Sequence, residues 1–162
     1  MRSILTTTLL FLISTLALAA EPAKLEAAKY NVDPAHSSVG FEIPHLVIST
    51  VEGKFKTFSG VLNIASPFTK STLEAEADIN SIDTSVGDRD THLKSPDFFD
   101  AAKFPKMTFK STSITGNEKS FKLTGDLTIK GTTKKVTFDS SYKGSAADAY
   151  GNLKAAFVAT TK

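Results

Sequence analysis

Residues 73–80, Leu-Glu-Ala-Glu-Ala-Asp-Ile-Asn, carry an apolar side chain at every odd position and a polar one at every even position. A strand sends successive side chains to opposite faces, whereas an amphipathic helix needs apolar residues three and four apart. The octet therefore reads as a strand with one apolar face and one acidic, wet face. The same parity recurs in Val39, Phe41 and Ile43, and in Phe121, Leu123, Leu127 and Ile129, which alternate with Lys122, Thr124, Asp126, Thr128 and Lys130. Strands that are apolar on one side only must turn those sides toward a shared interior.

Working outward, turn chemistry falls between such stretches: Gly116-Asn117, Gly131 with two threonines, and Gly151-Asn152. Short connections imply that neighbouring strands pair in chain order. Eight or nine strands are expected, and an antiparallel sheet of that size curls into a barrel or splits into a sandwich. Gly87 to Pro105 breaks the pattern, because its apolar residues follow no period of two. Its composition predicts two short helical turns, the second opened by Ser95 as cap and Pro96 as first helical residue. Phe98, Phe99 and Phe104 in this insert need an apolar surface, and an open barrel end supplies one.

The ends and the composition narrow the function. Residues 1–19 have a basic start at Arg2, an apolar run and the small-x-small site Ala17-Leu18-Ala19, the pattern of a secretory signal peptide. Residues 20–29 read as a flexible leader and 30–162 as one domain. No later apolar run approaches the ~20 residues that span a bilayer. The chain has no cysteine, which excludes disulfides, thiolate metal sites and a cysteine nucleophile. Without Arg2 there are 18 basic against 17 acidic residues, with the lysines scattered. That distribution offers no footprint for nucleic acid.

Catalytic and metal chemistry find little support. The three histidines, His36, His45 and His92, and the many serines lie in no nucleophile motif such as G-x-S-x-G. A metal site built from the histidines with Asp88 or Asp90 is a rival reading, but the spacing fits no short zinc motif. Arg89, Asp90 and His92 in the insert read first as a structural polar network and second as a ligand contact. The informative excess is phenylalanine, twelve in the chain with no tryptophan. Ordinary core packing would account for Phe41, Phe55, Phe109, Phe121 and Phe138, as in a structural β-domain without ligand; combined with small inward positions at Ala75, Ala77 and Gly125, the excess instead leaves room for an elongated apolar cavity.

The segments YNVDPAHSSVGFEIPHL, VEGKFKTFSGVLNI, DTSVGDRDTHLKSPDFFDAAKFPKMTFKS and LTGDLTIKGTTKKVTF, in that order from Tyr30 onward, resemble the YceI-like family of exported lipid-binding proteins. The resemblance implies an all-β fold, an antiparallel lipocalin-like barrel with a short helical insert, and a periplasmic address. It implies a non-enzymatic carrier with no cofactor or bound metal, whose tunnel holds a polyisoprenoid, a quinone tail or a similar long-chain amphiphile. It places tunnel-lining positions at Phe41, Phe55, Phe98, Phe99, Phe109 and Phe121, beside the small residues Ala75 and Ala77. It also places polar motif positions at His36, Arg89, Asp90 and His92, with the insert as a flap over one barrel end. Tyr30 stands where the family usually has tryptophan. The family pattern continues past Lys162, so the barrel is expected to be incomplete at the C-terminus, with an open edge and a possible homodimer.

Overall fold

The structure is a computed structural model that describes residues 24–162; the expected signal peptide and residues 20–23 of the leader lie outside the described residues. Among the described residues ten strands and one α-helix follow one another: β1 (Lys29–Asn31), β2 (Val39–His45), β3 (Ser49–Phe55), β4 (Phe58–Asn63), β5 (Thr72–Asp78), β6 (Ile82–Asp83), α1 (Gly87–Lys94), β7 (Lys106–Asn117), β8 (Ser120–Ile129), β9 (Thr132–Ala147) and β10 (Leu153–Thr160). The expected eight or nine strands become ten because β1 and β6 have only three and two residues, too short for an alternation to register. The alternating stretch from Leu73 lies in β5, which ends at Asp78. Ile79 begins a single 3₁₀ turn, Ile79–Ser81, and is 1% exposed.

Every pairing is antiparallel, and the sheet order is β1-β4-β5-β7-β8-β9-β10 for a curled seven-stranded half-barrel and β2-β3-β6 for a smaller sheet. The two sheets are continuous through a double bend. β3 runs into β4 across Lys56 and Thr57, and β5 runs into β6 across the 3₁₀ turn. The bends are stitched together, with Lys56 N donating to Ser81 O (3.1 Å), Thr57 N to Ser81 Oγ (2.9 Å) and Asp78 N to Thr57 O (2.9 Å). Polar backbone at a corner is thereby satisfied without breaking the fold line.

Register on the outer face follows charge. Glu74 opposes Lys110 across β5 and β7, and Asp126 opposes Lys135 across β8 and β9, with ion pairs of 2.7 and 3.1 Å. Lys122 and Asp139 are a third opposed pair. Glu74 holds the Lys110 ammonium above its ordinary lysine pKa. Exposed pairs add little stability, but a one-residue slip would bury every one of these charges.

The leader is not free along its whole length. Leu25 is buried, Ala28 O accepts from Ile64 N (2.9 Å), and Tyr30 Oη donates to Glu26 O (3.1 Å). A single leucine among small and charged residues gave no periodicity from which this anchoring could be read. The insert also differs from expectation. Ser95 closes α1, its N–H bonding His92 O at 3.0 Å, rather than capping a second helix. The chain then winds through turns, helped by Asp100 at φ 50°, which starts no continuous helix.

Candidate functional site

The concave face of the half-barrel is apolar because the odd positions of β5 and β8 all point into it. Two clusters occupy it. One has Phe55, Ala77, Ile79, Ile82 and Ala101 buried, with Val39, Phe41, Phe58, Leu93, Phe99 and Met107 packed around them. The other has Ile114, Phe121 and Leu123 buried, ringed by Phe68, Leu73, Phe109, Phe138 and Phe157. Rings meet tilted or edge to face, Phe41 with Phe55 at 5.9 Å, Phe55 with Phe99 at 6.2 Å and Phe109 with Phe138 at 5.3 Å between centroids. Such geometry suits the ring quadrupole.

The structure gathers Phe41, Phe55, Ala77 and Phe99 into the first cluster and Phe109 and Phe121 into the second. Ala75 lies between them on β5, opposite Gly60 on one side and Phe109 on the other. With Val32, Gly60, Phe109 and the charged Glu74, Glu76 and Lys110 it borders a shallow, open depression of about 630 Å³. The inward glycine does not leave an empty space. A Cβ on Gly125 would stand 2.4 Å from Phe109 Cζ, so the Phe109 ring lies over that glycine, as the Phe41 ring lies over Gly53. Ala77 is likewise packed, at 3% exposure.

Phe98 departs from its expected place. It is about half-exposed, belongs to neither cluster, and sits edge-on to the His92 ring at 4.9 Å. Adjacent residues in a turn diverge, so Phe99 enters the core and Phe98 stays outside.

The four polar positions do not form one network. Arg89 and Asp90 converge on Thr84: Arg89 Nε donates to Thr84 Oγ1 and its Nη2 to Thr84 O, both at 2.8 Å, while Asp90 Oδ1 accepts from Thr84 N (2.9 Å) and Oγ1 (2.6 Å). Thr84 is 4% exposed, so this clamp fastens α1 to the chain after β6. His92 instead faces Asp97 at 3.2 Å, and His36 faces Asp33 at 3.1 Å. The Asp33 carboxyl is held below its ordinary range, first by His36 and then by the Ala35 N–H and Lys154. Among the described residues, no three His, Asp or Glu side chains converge where a metal ion could bind, since each of these two histidines has its own separate aspartate.

Sequence reading missed Thr84, which lies in no motif, and missed Phe58, Phe68 and Phe157 as inward rings. The parity of β4, where Phe58, Gly60 and Leu62 alternate, could have found Phe58. Phe157 alternates with Leu153 and Ala155 along β10, a parity that could have found it as well.

A curled antiparallel half-barrel with an aromatic concave face and a helical insert at its bend is the architecture of a lipocalin-like binding protein. A family model for the YceI-like domain matches residues 30–162, and the chain belongs to that family. A UPF0312 protein of Vibrio parahaemolyticus is 38% identical over 146 residues, covering 87% of this chain and 77% of that protein. A UPF0312 protein of Shewanella denitrificans is also 38% identical over 146 residues, covering 87% and 76%. Among solved structures, the YceI protein of Campylobacter jejuni is 38% identical with a TM-score of 0.63, covering 79% of this chain and 76% of its own. Burkholderia cenocepacia BcnA is 28% identical with a TM-score of 0.67, covering 72% and 74%. The shared fold is that of binding proteins rather than of an enzyme family.

Proposed function

We propose that this protein is an exported, periplasmic carrier or store for a long-chain isoprenoid-type lipid, held against the concave face of its half-barrel without catalysis. The observation that carries the reading is the state of the inward rings. Phe41, Phe58, Phe68, Phe99, Phe109, Phe138 and Phe157 all point into the curl yet stay only partly buried. A concave apolar surface with accessible rings calls for an apolar occupant, and each methylene-sized unit buried there contributes about 0.8 kcal/mol. A long chain can bind well on such a surface with no charged contact. Phe41, Phe99, Phe109 and Ala75 would touch the ligand, with Phe55, Ala77 and Phe121 as the floor beneath it. The arginine–aspartate clamp on Thr84 holds the insert in place. Family membership and the signal-like start at residues 1–19 support the periplasmic address.

The test is organic extraction of the full chain purified from a periplasmic fraction, followed by mass spectrometry, with zinc measured on the same sample. A stoichiometric polyprenyl or similar long-chain species is expected. Stoichiometric zinc with no lipid would instead favour the histidine-based alternative.

A further inference from the structure

The hairpin joining β2 to β3 is the only place among the described residues where three consecutive large apolar side chains stand in solvent. Leu46, Val47 and Ile48 are 74%, 99% and 87% exposed. Pairing closes at His45 opposite Ser49, so these three residues are the tip, and Ser49 Oγ braces it by donating to His45 O at 3.1 Å. Leu46 and Val47 hold φ of 53° and 67°. That region suits glycine or asparagine, and a β-branched residue there is an outlier. Folding alone would be better served by Asn-Gly at this turn. Bulky side chains at strained, solvent-facing positions need a purpose outside the fold.

The surroundings select the occupant. Residues 43–51 contain no Asp, Glu, Lys or Arg, and the first charges met on either strand are Glu42 and Glu52, which oppose each other. The tip projects beyond that acidic pair by three residues on each strand, about 10 Å at ~3.3 Å per residue. Three aliphatic side chains offer on the order of 300 Å², well under the roughly 800 Å² per partner of a stable protein interface. The tip is also convex, so it cannot itself be a groove. An apolar projection of this depth matches the ~5–10 Å to which peripheral elements enter the headgroup and acyl boundary of a bilayer. We infer that Leu46, Val47 and Ile48 are a membrane-docking tip that seats in the bilayer interface, with Glu42 and Glu52 setting the limit of entry. The inference rests on the lipid-carrier reading. The same two strands carry Phe41 and Phe55 of the interior, so a seated tip brings the concave face up to the source or acceptor of its ligand.

Flotation with phosphatidylethanolamine–phosphatidylglycerol vesicles tests this on the mature chain. Wild type should float at low and high salt alike, because apolar insertion is not screened. Leu46→Asn combined with Val47→Gly fits both positive φ values, so it should fold with an unchanged or raised Tm while vesicle affinity falls at least tenfold, and Ile48→Ser should fall in the same direction. Flotation that survives the double substitution, or wild type that does not float, overturns the proposal. So does a double variant that loses only self-association in sedimentation. Lipid extracted from the same samples separates the two readings. Wild type that carries lipid but fails to float sinks the tip alone, whereas wild type that floats through the tip while carrying no lipid supports the tip and sinks the carrier reading.

Discussion

Thr84 shows what a single side chain can organise. Its hydroxyl and both backbone polar groups are taken by Arg89 and Asp90, and it is nearly inaccessible. Thr84→Val keeps the shape but leaves Arg89 Nε and one lone pair of Asp90 without their partner. Removing one member of a buried polar set costs about 1–3 kcal/mol. Urea denaturation should show a loss in that range, with faster amide exchange in α1; an unchanged midpoint would mean that the clamp is incidental. Neither the residue nor its role was legible, because a threonine between Asp83 and Ser85 looks like turn chemistry. Arg89 and Asp90 were legible as a structural pair, but their partner was not.

At the scale of elements, legibility tracked the regularity of the pleat. β5 and β8 were readable because each apolar residue occupies an inward position. The same parity failed at Ile43, which is 54% exposed, since the outer half of β2 pairs only with β3 and has no sheet behind it. In β7 the register shifts between Ser111 and Ser113, and the inward set passes from Phe109 to Ile114. A bulge changes parity with no mark in composition. The β9–β10 connection, foreseen from Gly151-Asn152, owes its shape to Asp148, whose Oδ1 accepts from Tyr150 N and Asn152 N, both at 2.9 Å. The side-chain amide of Asn152, then its backbone N–H, that of Tyr150 and Lys154 hold the Asp148 carboxyl below the ordinary 3.8, against a partly opposing desolvation. A carboxyl whose pKa is lower folded than unfolded stabilises the protein above the unfolded value. That contribution disappears as pH falls through the folded value. Asp148→Ala should therefore lower the Tm near neutral pH, and the gap from wild type should narrow once pH drops below about 3.8. A gap that stays constant into acid would show that the charge is not what matters.

For the whole molecule, the curl of seven strands and the double bend into the smaller sheet create one concave aromatic face. The fold class was legible because alternation, turn chemistry and the long motif from Arg89 to Phe109 agreed with one another. The arrangement of the interior was not, since which ring covers which glycine depends on sheet curvature. That arrangement decides where a blocking substitution belongs. Ala77 is packed on every side, so enlarging it would overfill the core. Ala75 is only half-buried, on β5 between Leu73 of one cluster and Ala77 of the other, and Ala75→Phe should fill ligand space while the sheet stays folded.

The claim that affinity resides in this apolar face, and not in the polar groups of the insert, is tested most directly by isoprenoid binding to wild type, Ala75→Phe and His92→Ala side by side. A phenyl ring that takes the place of roughly three to four methylene-sized units, at about 0.8 kcal/mol each, should weaken binding about 100-fold. His92 lies on the outer surface against Asp97 and Phe98, and its replacement should leave binding within about twofold, under 0.5 kcal/mol. Full binding by folded Ala75→Phe together with loss of binding by His92→Ala would contradict the account.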